Sequence, residues 1–227
     1  MWNEGWDDLF ARKKWGSYPS EDLVRYMLRK YPLAEMRRGT RVLEIGCGTG
    51  ANLCFLAEEG FSVSAIDGSK VALEQASKLL SKKNYSVELL NGDATKLPWE
   101  DNYFDVVVDI ECIYSNSFSE SKKIIAECQR VMKRPGSFFS KCFASGTSGE
   151  GSGKRLENEI NTWTDVTAGF FNKGYGIIRF TSELEIRELY SGFDELNWDF
   201  VCRTDKNQQI ISKEWLIAGE IYQLQSK

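Results

Sequence analysis

A run of glycines flanked by acidic residues has the composition and spacing of a binding loop for a nucleotide-like ligand. The loop covers residues 46–50, Gly-Cys-Gly-Thr-Gly, between a short apolar run and a helix-like segment. Glycines tolerate positive φ and let a ligand approach the main chain, and the start of a helix offers free N–H groups. Glu44 precedes the loop, and Asp67 and Asp93 follow the next two apolar runs. We predict that these carboxylates contact the ligand.

The glycine spacing alone leaves two cofactor classes open. The loop and the alanine after it also satisfy the dinucleotide pattern G-x-G-x-x-A, and Asp67 stands where that pattern expects a ribose-binding acid. An NAD(P)-dependent oxidoreductase is therefore one alternative. A short-chain dehydrogenase would carry a Tyr-x-x-x-Lys pair after the loop, whereas Tyr26 and Lys30 precede it.

Glu44 and Asp93 favour a ligand that has an ammonium group and an adenine, as a methionine-adenosine conjugate has. Glu44 lies two residues before the first glycine, where its carboxylate would attract an ammonium group and repel a pyrophosphate. Asp93 lies within Gly-Asp-Ala after the third apolar run, and its carboxylate can accept a hydrogen bond from an exocyclic amine.

The end of the fourth apolar run holds the candidate catalytic residues. Side chains at the carboxyl ends of parallel strands face the ligand crevice of an α/β sheet. We expect Ile110 to line the reacting region of the ligand, and Glu111 and Tyr114 are candidates for substrate contact or proton removal. Burial or helix capping would explain either of these two side chains about as well.

From residue 41 onward, short apolar runs alternate with helix-like segments, which predicts an α/β fold with a doubly wound, mostly parallel sheet. The predicted strands are residues 41–45, 62–66, 86–90, 105–110 and 137–144, followed by 197–203 and 213–222. The predicted helices are residues 51–59, 70–82, 120–132 and 182–190, with Ser69 as the N-cap of the second. Residues 134–136, Arg-Pro-Gly, predict a turn between helix and strand.

Two further segments lie outside this alternation. Residues 1–38 form a predicted N-terminal helical cap, with a helix over 20–30 and with Trp2, Trp6 and Phe10 four residues apart on one helical face. We interpret these aromatics as core packing, with a lid over the site as the alternative. Residues 39–227 form the main domain, which carries an irregular insertion at about 145–180. Long irregular insertions are usually functional or disordered, so we predict that this one faces the substrate.

Taken together, the motifs resemble those of the class I S-adenosylmethionine-dependent methyltransferases along nearly the whole chain from residue 41. They comprise Glu44-x-Gly46-x-Gly48-x-Gly50, Ala-Ile-Asp-Gly-Ser at 65–69, Gly-Asp-Ala at 92–94 with Leu-Pro at 97–98, Asp-x-x-Phe-Asp-Val-Val at 101–107, and residues 131–136. The resemblance implies a seven-stranded sheet whose last strand is antiparallel. It also implies S-adenosylmethionine as the cofactor and S-adenosylhomocysteine as the product.

The same resemblance implies the cofactor contacts. The expected cofactor-binding residues are Glu44, Gly46, Cys47, Gly48, Asn52, Asp67, Gly68, Asp93, Ala94 and Ile110. The glycine loop would border the methionine part, Asp67 would bind the ribose hydroxyls, and Asp93 with Ala94 would contact adenine. Asp105 would be structural.

Composition excludes other chemistries. The 227 residues include no histidine, which excludes Ser-His-Asp and Cys-His machinery and histidine-ligated metals. The six cysteines form no C-x-x-C pair, so no metal site is predicted. A net charge of -4 provides no overall positive field, so no DNA partner is expected. A signal sequence and a long apolar stretch are both lacking, so we expect a soluble cytoplasmic protein without membrane contact.

We therefore expect an enzyme that methylates a small molecule. Residues 15–19, Trp-Gly-Ser-Tyr-Pro, resemble the lead segment of methyltransferases of sugar and surface-polysaccharide pathways, which favours oxygen over nitrogen as the acceptor atom and makes a sugar one candidate. The alternatives are an RNA methyltransferase and a catalytically silent cofactor-binding protein. The identity of the acceptor, the need for a general base and the oligomeric state stay open, with a homodimer as one option.

Overall fold

Three helices precede the first strand in the computed structural model, which describes residues 5–171 and 176–222. They are α1 (Gly5–Arg12), α2 (Glu21–Lys30) and α3 (Ala34–Arg37). Trp6 and Phe10 lie one turn apart on α1, with ring centroids 5.8 Å apart. Trp2, the third member of the predicted aromatic face, lies outside the described residues.

A seven-stranded sheet forms the centre of the fold. Its strands are β1 (Arg41–Ile45), β2 (Ser62–Asp67), β3 (Glu88–Asn91), β4 (Phe104–Ile110), β5 (Met132–Phe143), β9 (Glu195–Asp205) and β10 (Ile210–Ile221). The spatial order is β3-β2-β1-β4-β5-β10-β9. The contacts among the first five strands are parallel, and β10 runs antiparallel to both β5 and β9. The predicted sheet with an antiparallel last strand is confirmed.

The helices between the strands cover both faces of this sheet. They are α4 (Ala51–Glu58), α5 (Lys70–Lys82), α6 (Phe118–Val131) and α7 (Glu183–Leu189), with a 3₁₀ turn at Ile113–Ser115. The predicted N-cap is confirmed, because the Ser69 hydroxyl accepts a hydrogen bond from the Ala72 amide. Within the described ranges, no helix is long and apolar enough to cross a membrane.

Alternation along the strands divides the buried apolar side chains into two cores, as expected for a sheet covered on both faces. In β1, Val42 joins a core with Leu23 of α2 and Leu56 of α4. Its neighbour Leu43 joins the opposite core with Ile124 of α6. The helices are thereby fixed against the sheet, and the loops at the carboxyl ends of β1, β2 and β4 are held close together.

The predicted turn at residues 134–136 is wrong. These residues lie inside β5, which begins directly after α6. The register between β4 and β5 shifts here, because Phe104 pairs with Met132 and Val106 pairs with Ser137. The extra residues form an irregularity in the ladder, where a strand can accommodate Pro135 without losing an amide donor to its neighbour.

The insertion at about 145–180 is more regular than its sequence indicates. It contains a three-stranded antiparallel sheet of β6 (Lys154–Arg155), β7 (Thr162–Thr164) and β8 (Ile178–Arg179). Strands of two or three residues are too short to display an alternating pattern. The start of the insertion is attached to β10, since the Thr147 hydroxyl donates to the Lys213 carbonyl oxygen at 2.7 Å. Residues 172–175 lie outside the described part of the chain.

Candidate cofactor and acceptor site

The predicted site residues meet at the carboxyl ends of β1, β2 and β4, where two cavities adjoin. The first cavity is lined by Trp6, Phe10, Gly46, Ile66, Asp67, Gly68, Gly92, Asp93, Ala94, Glu111, Cys112, Ser115, Asn116 and Ile124. The second, of about 470 Å³, is lined by Trp6, Phe10, Lys13, Trp15, Gly16, Glu44, Gly46, Cys47, Gly48, Thr49, Ala51, Asn52, Ile110, Glu111, Tyr114, Phe143, Phe170 and Phe171. Trp6, Phe10, Gly46 and Glu111 line both cavities and so mark their junction.

The glycine loop passes so close to the end of β4 that its first residue has no room for a side chain. Gly46 has φ +63° and Gly48 has φ +51°. A Cβ atom added to Gly46 would lie 2.3 Å from the sulfur of Cys112. The loop main chain can thus lie at the junction of the cavities, where a ligand would contact it directly.

Gly46→Ala is expected to lower the free energy of unfolding by about 3 kcal/mol, because a left-handed backbone and a steric clash act together. The matched control is Gly39→Ala, where φ is +82° but nothing lies within 4 Å of the added Cβ. That change is expected to cost about 1 kcal/mol. Urea denaturation of both variants measures the difference, and equal costs would contradict the close packing of the loop.

Glu44, on β1, is a buried carboxylate with one oxygen left unsatisfied. The residue is 1% exposed, and its Oε1 accepts a 2.7 Å hydrogen bond from Asn52 Nδ2. Its Oε2 accepts no hydrogen bond from the residues that the structure describes. Burial raises the pKa of Glu44 to about 8, and the negative charge of Asp67 acts in the same direction. A buried carboxylate of this kind fits a positively charged donor.

Asn52, on α4, connects Glu44 to the N-terminal helices. While its Nδ2 donates to Glu44, its Oδ1 accepts a 2.9 Å hydrogen bond from the main-chain amide of Ser20. Ser20 directly precedes α2. The orientation of the Glu44 carboxylate therefore depends on where α2 begins.

Asp67, at the end of β2, joins the glycine loop to the start of α5. Its Oδ2 accepts a 2.7 Å hydrogen bond from the Gly48 amide, and its Oδ1 accepts one of 2.8 Å from the Ser69 amide. Burial raises the pKa of this carboxyl above its ordinary value, against the effect of these two bonds. A carboxylate oxygen has two lone-pair sites. Asp67 thus stabilises the loop and retains the capacity to accept hydrogen bonds from a ligand.

Asp93, Ala94 and Gly68 lie together in the wall of the first cavity. Asp93 Oδ1 accepts hydrogen bonds from the amide of Thr95 at 2.9 Å and from its hydroxyl at 2.8 Å. Although partial burial acts in the opposite direction, these two bonds lower the pKa of Asp93. The side chain is therefore an ionised acceptor at neutral pH.

Glu111 lies at the junction with an uncommon backbone conformation. It has φ +62°, and its side chain is 37% exposed. Its amide donates a 2.9 Å hydrogen bond to the Lys141 carbonyl oxygen, and its carboxylate lies 3.7 Å from Lys141 Nζ. Burial raises the pKa of Glu111, and the charge of Lys141 opposes that rise. Left-handed backbone at a residue other than glycine costs free energy and is concentrated at functional sites.

Seven of the eighteen residues that line the second cavity are aromatic. Tyr114 is buried and packs edge-on against Phe143, which packs edge-on against Phe171 of the insertion. Phe10 and Trp15 of the N-terminal segment have ring centroids 5.0 Å apart on the same cavity. The roles of these segments as cap, lid or substrate-facing element stay predictions.

The structure brings every residue of the predicted site to one of the two cavities. The ten cofactor candidates and the two catalytic candidates, Glu111 and Tyr114, all belong to the linings. Their individual roles stay predictions. Two further residues at the site were not predicted from the sequence: Cys112, which packs against Gly46, and Lys141, which lies behind Glu111. Lys141 interrupts an apolar strand, and a charged residue at such a position is a signal that could have identified it.

Known proteins resemble this chain in part of its sequence and in its fold. Residues 42–136 match a family model described as a methyltransferase domain. A solved S-adenosylmethionine-dependent methyltransferase from Methanosarcina mazei aligns with a TM-score of 0.67 and 21% identity, over 81% of this chain and 93% of that one. The chain therefore shares the fold of this methyltransferase, and its sequence matches a methyltransferase domain over residues 42–136.

Two further methyltransferases show the range of similarity. A demethylmenaquinone methyltransferase from Thermotoga maritima is 28% identical over 144 residues, which are 63% of this chain and 60% of the relative. A 1,6-didemethyltoxoflavin-N1-methyltransferase from Burkholderia thailandensis, solved with S-adenosylhomocysteine, aligns with a TM-score of 0.63 and 16% identity, over 89% of this chain and 78% of that one. The chain spans about three fifths or less of the length of the curated relatives that it matches first.

Proposed function

We propose that this protein transfers a methyl group from S-adenosylmethionine to a small molecule bound in the second cavity. The observation that carries the proposal is the unsatisfied buried oxygen of Glu44 beside the glycine loop. The amino-acid end of S-adenosylmethionine has an ammonium group, which is a cationic donor suited to that oxygen. A pyrophosphate, which a dinucleotide would place near the loop, would be repelled.

The remaining acids extend the proposed binding mode along the first cavity. Asp67 would accept hydrogen bonds from the ribose hydroxyls through its remaining lone pairs. Asp93 would accept a hydrogen bond from the adenine amine, with Ala94 against the ring. The three acids follow β1, β2 and β3 in order, so a ligand that contacts all three lies across the carboxyl edge of the sheet.

The lining of the second cavity supports a small acceptor with planar or apolar portions. Aromatic side chains from both flanking segments face it, and Lys13 is the single basic residue among the described residues that line it. Rings of this kind stack on flat or apolar groups, whereas a nucleic-acid backbone needs several cations. The relatives named for demethylmenaquinone and 1,6-didemethyltoxoflavin are consistent with this class of acceptor. A sugar acceptor and transfer to oxygen stay predictions.

In the proposed mechanism the protein contributes positioning and one proton transfer. Bound S-adenosylmethionine supplies a methyl group on a positively charged sulfur. Trp6 and Phe10 line both cavities at their junction and would shield it from water. The Glu111 carboxylate receives the proton from the acceptor's O–H or N–H group, and Tyr114 contacts the acceptor. Orientation of the two reactants accounts for most of the expected rate enhancement.

Isothermal titration with S-adenosylhomocysteine and with NAD tests the cofactor assignment. We expect micromolar binding of S-adenosylhomocysteine and no heat with NAD. Tight binding of NAD without a response to S-adenosylhomocysteine would overturn the proposal in favour of an oxidoreductase.

Transfer of labelled methyl groups to a panel of quinones, phenols, fatty acids, sugars and RNA tests the acceptor class. We expect label on one of the small molecules. Label on RNA alone, with binding that weakens steeply as salt increases, would overturn the small-molecule assignment. Normal cofactor affinity with no transfer across the panel would favour a catalytically silent binding protein.

A further inference from the structure

A buried ionic cluster lies directly behind the second cavity. Its centre is Lys141 on β5, which is 7% exposed. The Lys141 Nζ lies 3.0 Å from Glu214 of β10, 3.4 Å from Asp22 of α2 and 3.7 Å from Glu111. One ammonium group is thus shared by three carboxylates from three separate elements.

The three carboxylates differ in their ionic partners other than Lys141. Arg203 of β9 pairs with Glu214 at 2.8 Å and with Asp22 at 3.5 Å, so these two acids each contact two cations. Glu111 has an ion pair with Lys141 alone among the described residues. Of the three acids, Glu111 is also the one that lines the cavities. Its ionisation and orientation therefore depend on Lys141 more than those of the other two acids do.

Two contacts with Lys141, one from the main chain and one from the side chain, support the turn at Glu111. The main-chain amide of Glu111 donates to the Lys141 carbonyl oxygen, and the side chains form the ion pair. Glu111 lines the junction of the cavities with a left-handed backbone, which would relax without such support. Burying an ion cluster is seldom the cheapest way to stabilise a fold, because apolar side chains of similar volume often serve as well.

The first turn of α2 connects this cluster to the other end of the site. Asp22 contacts Lys141, and Ser20, just before the helix, donates to Asn52, which in turn donates to Glu44. The carboxylate proposed for the cofactor ammonium and the carboxylate proposed for the acceptor proton are therefore both linked to the start of one helix, through Ser20 and Asp22.

We propose that Lys141 is a positioning residue that keeps the Glu111 carboxylate ionised and aimed at the junction of the two cavities, with Asp22 linking this arrangement to the docking of α2. The proposal rests on the function proposed above. Other charged groups facing Glu111 are Glu214 from β10 and Asp109 from β4, both of which oppose its ionisation. Lys13 of the N-terminal segment lines the same cavity. Loss of the Lys141 charge consequently raises the proton affinity of Glu111.

The test compares Lys141→Gln with Asp22→Asn/Lys141→Gln. The double variant loses one positive and one negative charge, so the net charge of the cluster is unchanged, and Glu214 stays paired with Arg203. It can therefore replace the single variant if that variant does not fold. Lys122→Gln is the control, because Lys122 forms an exposed ion pair with Glu188 remote from both cavities. Lys141→Arg tests rescue by the conservative change.

The first measurement is the carboxyl ¹³C titration of Glu111 in glutamate-labelled full-length protein, assigned by the signal lost in Glu111→Gln. The pKa of Glu111 is expected to rise by about one unit, a ten-fold gain in proton affinity, in both Lys141→Gln variants and not in Lys122→Gln. An unchanged titration midpoint would overturn the inference. This measurement needs no ligand, so its result stands apart from the proposed function.

The second measurement compares S-adenosylmethionine, whose sulfur is positively charged, with S-adenosylhomocysteine, whose sulfur is neutral. The sulfur joins the adenosine and methionine portions, so the proposed binding mode places it near the junction. The preference for S-adenosylmethionine is expected to increase about ten-fold as Glu111 ionises. In the Lys141→Gln variants this pH profile shifts upward with the titration midpoint, and Lys141→Arg restores it.

A merely structural role for Lys141 would weaken both ligands equally and leave their ratio unchanged, which would overturn the inference even with a shifted midpoint. Failure of the wild-type protein to bind either ligand would instead overturn the proposed function, and with it any role of Lys141 in the reaction. The two failures are therefore distinguishable.

Discussion

Replacing Glu44 with glutamine is expected to weaken S-adenosylhomocysteine binding about 100-fold at pH 8, because the buried partner of the ligand ammonium loses its charge. Glu44 is 1% exposed, and its second oxygen has no other donor among the described residues. Glutamine has nearly the same shape and can still accept the hydrogen bond from Asn52. Isothermal titration measures the loss as a change in Kd, with shape and packing held constant.

The same substitution is expected to relieve the ligand-free protein of a buried charge. Burial raises the folded-state pKa of Glu44 to about 8 from its ordinary value of 4.5, so between these two pH values the folded state holds a proton that the unfolded state has released. Below the unfolded-state pKa, Glu44 does not lower the free energy of unfolding. As the pH rises from there toward 8, the wild-type free energy of unfolding decreases because of this group. Relative to wild type, Glu44→Gln gains about 1.4 kcal/mol for each pH unit across that window.

Denaturant unfolding of both proteins at pH 5, 6, 7 and 8 measures this difference. The control is Glu58→Gln, which removes an exposed carboxylate of α4 that lies 3.9 Å from Lys83. It is expected to leave both the pH dependence and ligand binding unchanged, since exposed ion pairs contribute little. Equal affinity of wild type and Glu44→Gln for S-adenosylhomocysteine would contradict the assignment of Glu44 to the ammonium group.

The first strands and helices of the α/β sheet were predictable because their signals are local. The strand at Arg41–Ile45 and the helix at Lys70–Lys82 have the predicted bounds, since each shows its own period and, for the helix, its own cap. Glycines with acidic residues after successive strands could be located in the same way, because the carboxyl ends of parallel strands meet at one edge. All of these features lie within short stretches of chain.

The rest of the fold and of the site could not be predicted, because it depends on contacts between residues far apart in the sequence. The cluster around Lys141 joins Asp22 near one end of the chain to Glu214 near the other, and no local pattern connects them. The strands of the insertion are too short to show alternation, and Pro135 lies in β5 because a register shift accommodates it. The unsatisfied oxygen of Glu44 is likewise a property of packing. The sequence places a carboxylate at that position but does not show how many donors it has.

Replacing Asp67 with alanine is expected to lower affinity for S-adenosylhomocysteine on the order of 100-fold, through the loss of ribose contacts and of loop support together. The free energy of unfolding should also fall by about 2 to 3 kcal/mol, because one buried and one partly buried amide lose their acceptor. Those amides belong to Gly48 and Ser69. Loss of affinity alone therefore cannot separate a ligand contact from a structural effect.

A matched structural control is Asp105→Ala. Asp105 accepts a 2.8 Å hydrogen bond from the Arg41 amide and pairs with Lys133 at 2.7 Å, at the start of β4 and outside both cavity linings. Its loss is expected to destabilise the fold and leave the Kd for S-adenosylhomocysteine within about two-fold of wild type, since sites without shared partners act independently.

Removing the ribose hydroxyl separates the two roles of Asp67. Wild-type protein is expected to bind the 2′-deoxy analogue of S-adenosylhomocysteine about ten-fold more weakly than the parent compound, because a buried carboxylate then loses a donor. In Asp67→Ala that difference should disappear, giving a coupling free energy of about 1.4 kcal/mol in the double-mutant cycle. If Asp67 only stabilises the loop, the missing hydroxyl will cost both proteins the same, and the carboxylate is then a structural link between the glycine loop and α5.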